Sequence, residues 1–141
     1  MDKKEFPEEF WRGIANKDFV KDGYVLPSAF QFDNDIREDG FKELSINWND
    51  DDEALKKILE QRKENGKIQF SVGAANLNLS RVKQLLSMYI DRKQFSYERK
   101  ELEDNEYHGN LLVLGTLDKQ LRLMISSCLA VAADTSITYQ K

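Results

Sequence analysis

The stretch YHGNLLVLGTLDKQLRLMISSCLAVAAD, residues 107–134, narrows the possible folds more than any other. It begins with Leu111, Leu112, Val113 and Leu114 in unbroken succession. Successive strand residues point to opposite sides of a sheet, so this run is expected at the centre of a sheet or covered on both faces. The second part reads as a helix capped by Thr116, with Asp118 in its first turn and Leu117, Leu121, Met124, Cys128 and Val131 or Ala132 on one side. Beyond Leu123 that helix is apolar nearly all round, which predicts deep burial of its second half. A doubly covered strand followed by such a helix calls for a sheet with helices packed against it.

The rest of the chain supplies the remaining pieces. QFSYERKEL alternates Phe95, Tyr97 and Arg99 and is expected to pair with YHGNLLVLG as an antiparallel hairpin across EDNE. KELSINWN alternates Leu44, Ile46 and Trp48 against Glu43, Ser45 and Asn47, a half-buried strand. KIQFSVG, with Ile68, Phe70 and Val72, reads as another. NDDDEALKKILEQRKENG predicts a helix over 50–65, capped by Asn49 or Asp50 and ended by Gly66. A second helix is expected over 80–92, opened by Ser80 or Asn78, with Val82, Leu85, Leu86, Tyr89 and Ile90 on one face. EEFWRGI is a short buried strand or helical turn, Gly23 a turn residue, Pro27 the end of a short extended piece, and DNDIREDG a polar loop. The expected fold is α+β: a mostly antiparallel sheet of four to five strands packed by helices over 50–65, 80–92 and 116–133, in one globular domain over 1–141.

Charge removes several functional classes. Acidic and basic residues are interspersed, and the net charge is −4, which gives no broad positive field for nucleic acid. A local basic patch, YIDRKQFSYERK, is broken by Asp91 and Glu98. The aromatics Trp11, Trp48, Phe30 and Phe32 would need a positive groove to stack bases, and are read as core. One cysteine and one histidine cannot build a structural zinc site. There is no phosphate-binding glycine loop, DNDIREDG lacks calcium-loop spacing, and NDDDE is explained by its place at a helix start. No cofactor or metal is expected. MDKKEFPEEFWRG lacks the apolar core of a secretory signal, and no window is long enough to span a bilayer, so the expected address is the cytoplasm.

Cys128 sits among small and apolar residues and reads as core, while Ser126 and Ser127 read as helix-packing residues. Lys83 and Lys93 have no motif around them. An imidazole such as that of His108 can act as a general base, but its sequence neighbours offer only the carboxylates of Asp104 and Glu106 and the glycine Gly109. Otherwise it is a turn residue.

The pieces FWRGIANKDFVKDGYVLPSAFQF, ELSINWND and YHGNLLVLG together resemble a set of small bacterial proteins with an Arg … V/I-x-D-G … S-x-A-F … L-S-V/I … His pattern. The matching residues are Arg12, Asp22, Gly23, Ser28, Ala29, Phe30, Leu44, Ser45, Ile46 and His108. The resemblance implies a bacterial origin and no mechanism. WRGI, SAF and LSI also resemble strands of ADP-ribosyltransferase-like folds, without a counterpart to the glutamate those enzymes use.

Two functions follow as expectations. The first is a non-enzymatic interaction module that docks on a larger protein, in the manner of a bacterial immunity protein, antitoxin or defence accessory subunit. The second is a nucleotide-binding or nucleotide-modifying domain, with Arg12, Ser28, Ser45 and His108 converging on a phosphate-bearing ligand. That reading requires the four side chains to share one pocket.

Overall fold

The computed structural model describes residues 5–141. In chain order the strands are β1 (Glu9–Ile14), β2 (Val20–Lys21), β3 (Tyr24–Val25), β4 (Phe41–Trp48), β5 (Gly73–Asn78), β6 (Phe95–Arg99), β7 (His108–Leu114) and β8 (Ile137–Tyr139). The α-helices are α1 (Glu53–Glu60), α2 (Leu79–Leu86) and α3 (Lys119–Ala133), and a 3-10 turn spans Pro27–Phe30. The fold is α+β, but the main sheet has six strands rather than four to five, in the order β6-β7-β4-β1-β5-β8, and every pairing in it is antiparallel. β2 and β3 form a separate hairpin, turned by Asp22 and Gly23 with φ of 53° and 81°. This double left-handed step matches the twist of a tight hairpin.

Register fixes the two faces. Phe10 stands opposite Trp48 and Leu77, and Leu44 opposite Leu111, so these side chains share one face with Ile46, Ala75, Val113, Phe95 and Tyr97. That face packs on α2 and α3 through Val82, Leu86, Ile125 and Leu129, and the buried residues form one apolar cluster. The opposite face carries Asn47, His108, Asn110 and Leu112, and α1 lies against it, with the Asn47 amide donating to the Ala54 carbonyl at 3.1 Å. β7 lies between β6 and β4 with Gly109–Val113 buried throughout, as expected of a run apolar on both faces.

Several boundaries differ from the sequence reading. The first helix ends at Glu60 because Asn65–Gly66 makes a hairpin turn: Lys63 N–H donates to Lys67 at 2.8 Å, Gln69 N–H to Gln61 at 2.8 Å, and Gly66 has φ of 83°. Turn chemistry here overrides helix periodicity. KIQFSVG consequently forms only the isolated Arg62–Ile68 bridge, and the strand is the next piece, β5. Its small residues Ala74 and Ala75 are fully buried. α2 stops at Leu86 instead of reaching residue 92, leaving Tyr89 44 % exposed. Asp118, not Thr116, caps α3, accepting from Leu121 N–H at 2.9 Å. α3 is less enclosed than its composition suggests, since Leu123 and Val131 are more than half exposed. β8 was not anticipated; its three residues extend the sheet beyond β5.

Candidate docking groove

Of the four residues matched in sequence, the fold brings two together. Ser45 and His108 project from neighbouring strands on the α1 face and line a cavity of about 150 Å³ with Gln61 and Gln69. His108 Nδ1 lies 2.7 Å from the Lys100 carbonyl. A carbonyl only accepts, so Nδ1 carries the proton and Nε2 is left as the acceptor of the neutral ring. Gln61 donates to Gln69 at 2.9 Å, which occupies much of the remaining polar lining.

Arg12 shares the face of Phe10, the side opposite His108. Its Nε donates to the Ala29 carbonyl at 3.0 Å and its Nη1 to the Ser45 carbonyl at 2.9 Å. The guanidinium therefore ties β1 to β4 and to the Pro27–Phe30 turn, with its Nε and Nη1 engaged by main-chain carbonyls. Burial pushes its pKa down to about 10, with Asp33 opposing the shift, so it remains charged at neutral pH. Ser28 lies half-buried in the 3-10 turn that packs against α3. The sheet thus separates Arg12 from His108 and does not assemble the four side chains in one cleft.

The other sequence candidates find structural roles. Ser126 donates to the Phe30 carbonyl at 2.7 Å, and Cys128 is buried, with its thiol pushed up by desolvation. The loop DNDIREDG is pinned by Arg37, which makes paired contacts of 2.7 and 3.1 Å to the Glu98 carboxylate and one of 2.9 Å to Asp39. Asn110 donates to Glu98 at 2.8 Å. Burial pushes the Glu98 carboxyl up, but the hydrogen bonds from Arg37 and Asn110 outweigh it and hold the group below its ordinary value. Folding therefore favours the ionised form. Its contribution is complete above the unfolded-chain pKa of about 4.3 and is lost as pH falls through the lower folded value. Glu98→Gln should cost about 1 kcal/mol at neutral pH by urea denaturation, and the gap from wild type should close between about pH 5 and 3. A pH-independent gap would rule this account out.

A larger concavity lies on the other face, between α2 and β6. It is a groove of about 670 Å³ with an apolar floor of Leu86, Ile90, Phe95 and Tyr97. It exists because α2 ends at Leu86 and the chain turns there, Tyr89 and Ile90 N–H both donating to the Leu86 carbonyl, before it returns as β6. Lys83 and Arg92 line it, together with Asp91. The Lys83 ammonium stands 5.0 Å over the Tyr97 ring, whose π-face attracts it. The Asp91 carboxylate accepts from Lys93 N–H at 2.8 Å and is engaged in its own turn. Met88, between the groove residues Ser87 and Ile90, is 72 % exposed.

β6 is also an edge. Among the described residues it pairs only with β7, through bonds that include Leu114 N–H to the Gln94 carbonyl and Lys100 N–H to the His108 carbonyl. In an antiparallel pair the inward-bonding residues alternate, so Gln94, Ser96, Glu98 and Lys100 face β7. The N–H and C=O of Phe95 and Tyr97 then point away from the sheet, and among the described residues no group bonds to them.

Sequence reading passed over this site. YIDRKQFSYERK covers part of it, and the alternation of Phe95 and Tyr97 marked a strand, but its position at an edge beside a truncated helix is a tertiary fact. Among the described residues no group of three His, Cys, Asp or Glu side chains could hold a metal, and no helix is long and apolar enough to cross a membrane. Comparison with known protein families, with curated proteins and with solved structures finds no match to this chain.

Proposed function

We propose that this chain is a non-enzymatic interaction module that docks on a larger protein through the groove between α2 and β6. The observation that carries this reading is the coincidence of an apolar groove with a sheet edge whose main-chain groups find no partner among the described residues. Exposed strand edges are usually blunted or covered in isolated proteins, because they recruit other chains. A groove with an apolar floor and few charged groups is the common form of a recognition site. The nucleotide reading gains no support, since Arg12 is bound to carbonyls and stands across the sheet from His108. The setting we propose is that of an immunity, antitoxin or accessory subunit in a bacterial defence or toxin operon, which suits a short acidic chain.

A photocrosslinking amino acid at Ser87, in the groove, should give one discrete adduct when the protein is expressed with its native gene neighbours. The same group at Lys56, on exposed α1, should give none, and Lys83→Glu should abolish the Ser87 adduct. Adducts at both positions, at neither, or unaffected by Lys83→Glu would overturn the reading.

A further inference from the structure

We infer that the groove's occupant is an extended acidic segment of the partner, which adds to β6 as a further strand of the sheet and sets alternate apolar side chains into the groove. This rests on the docking reading above and says what form the docked segment takes.

A strand added to β6 would run about 4.8 Å from it, bonding to the outward groups of Phe95 and Tyr97. The Phe95 and Tyr97 side chains lie on the α2 face, so every second side chain of an added strand falls on that face too. There it meets Leu86 and Ile90 across the groove. A helix laid in the groove would leave the main-chain groups of the edge unused, whereas a strand pairs with them.

The sign of the partner's charge follows from the rim. Among the described residues the groove is lined by Lys83 and Arg92 against the carboxylate of Asp91, itself bonded to Lys93 N–H, while the nearby Glu8 carboxylate is engaged by Ser80 Oγ at 2.8 Å. This cationic rim belongs to a chain of net charge −4. A carboxylate flanking the apolar side chains of the docked segment would meet Lys83 and Arg92. The same rim disfavours a second copy of this chain, because symmetric pairing of two β6 edges would bring like-charged rims towards each other.

The test uses displayed random decapeptides selected on the full chain. Enriched sequences should alternate apolar and polar residues and carry Asp or Glu. N-methylation of a selected synthetic peptide at alternate residues should weaken it about tenfold or more, while methylation at the intervening residues leaves affinity nearly unchanged. The double variant Lys83→Glu/Arg92→Glu, at two exposed positions, should lose about tenfold and regain affinity for a peptide with lysine in place of the acidic residue. Peptides that perturb groove resonances but are indifferent to the position of N-methylation would overturn strand addition and leave docking standing. Peptides indifferent to charge reversal would overturn the acidic assignment alone. Peptides that bind elsewhere, or a selection that yields none, would overturn the occupant and the docking site together. Sedimentation showing a dimer that Phe95→Pro dissociates, by removing an outward N–H at the start of β6, would assign the edge to a second copy instead.

Discussion

Gly109→Ala should destabilise the protein by about 3 kcal/mol in urea denaturation, a large loss for the addition of one methyl group. Gly109 sits in β7 opposite Ile46, and a Cβ there would collide with the Trp48 indole and with the Glu98 carbonyl. The indole crosses over this glycine so that its Nε1–H can donate to Glu98 at 3.0 Å. Trp48 is fully buried and packs edge-on against Phe6, Phe10 and Tyr97, so it has no free direction in which to retreat. The added methyl therefore either displaces the largest side chain of the core or parts β7 from β6. Gly66→Ala separates this packing effect from a backbone effect. Gly66 has φ of 83° but nothing within 4 Å of the added carbon, so its loss should stay near 1 kcal/mol. The Trp48 indole proton should also lose exchange protection in Gly109→Ala and keep it in Gly66→Ala. Equal losses in the two variants would show that Trp48 is not seated over Gly109.

Asn47→Leu should cost a similar amount, about 3 kcal/mol, for the opposite reason: the replacement fits the volume and fails the polar partners. Asn47 is 2 % exposed, donates to the Ala54 carbonyl at 3.1 Å and accepts from Asn105 Nδ2 at 2.8 Å. Asn105, also buried, in turn accepts from Tyr107 N–H at 3.1 Å. The Tyr107 hydroxyl donates to Asp51 at 2.8 Å, and that bond, more than desolvation, pushes its pKa up to about 12. This chain of bonds fixes α1 and the loop before β7 to the same strand. Removing Asn47 leaves the buried Asn105 amide unpaired and takes from the Ala54 carbonyl, already inside α1, its side-chain donor. Asn105→Ala should cost about 2 kcal/mol, and the double variant clearly less than the sum, because both changes break one network. Additive losses in thermal or urea denaturation would mean that the two amides act separately.

The elements that could be read from sequence are those whose period survives to the surface of the chain. β4 shows Leu44, Ile46 and Trp48 in strict alternation, and the register confirms that all three face the helices. The β6–β7 hairpin was legible from Phe95, Tyr97 and the doubly covered leucines. Ile68, Phe70 and Val72 show the same alternation yet form no strand, because Phe70 is spent filling the space over Gly13 and Gly66 reverses the chain just before. β5 was hidden by its small residues, whose burial reflects close packing rather than strand propensity. The docking groove was illegible for a different reason. Its floor residues look like ordinary core, Leu86 and Ile90 buried and Phe95 and Tyr97 half-buried, and it is the early end of α2 that leaves a groove over them. His108 drew attention by being the only imidazole, and Arg12 by its motif, but neither property says on which side of a sheet a side chain will stand.

The order of strands also bears on how the chain comes to be folded. β1 is the first strand of the main sheet to be synthesised, yet it lies inside that sheet, bonded to β4 on one side and β5 on the other. Neither partner exists until dozens of later residues have been made, and α3, which closes the apolar face, follows both. Phe10 and Ile14 therefore remain without these native neighbours until β4, β5 and α3 have been made. With so many pairings between distant segments, folding belongs to the slow regime of milliseconds to seconds set by non-local topology. A ribosome paused between β1 and β4 would present exposed β-forming sequence with nothing to pair to, and the quality of the finished protein depends on that interval being short.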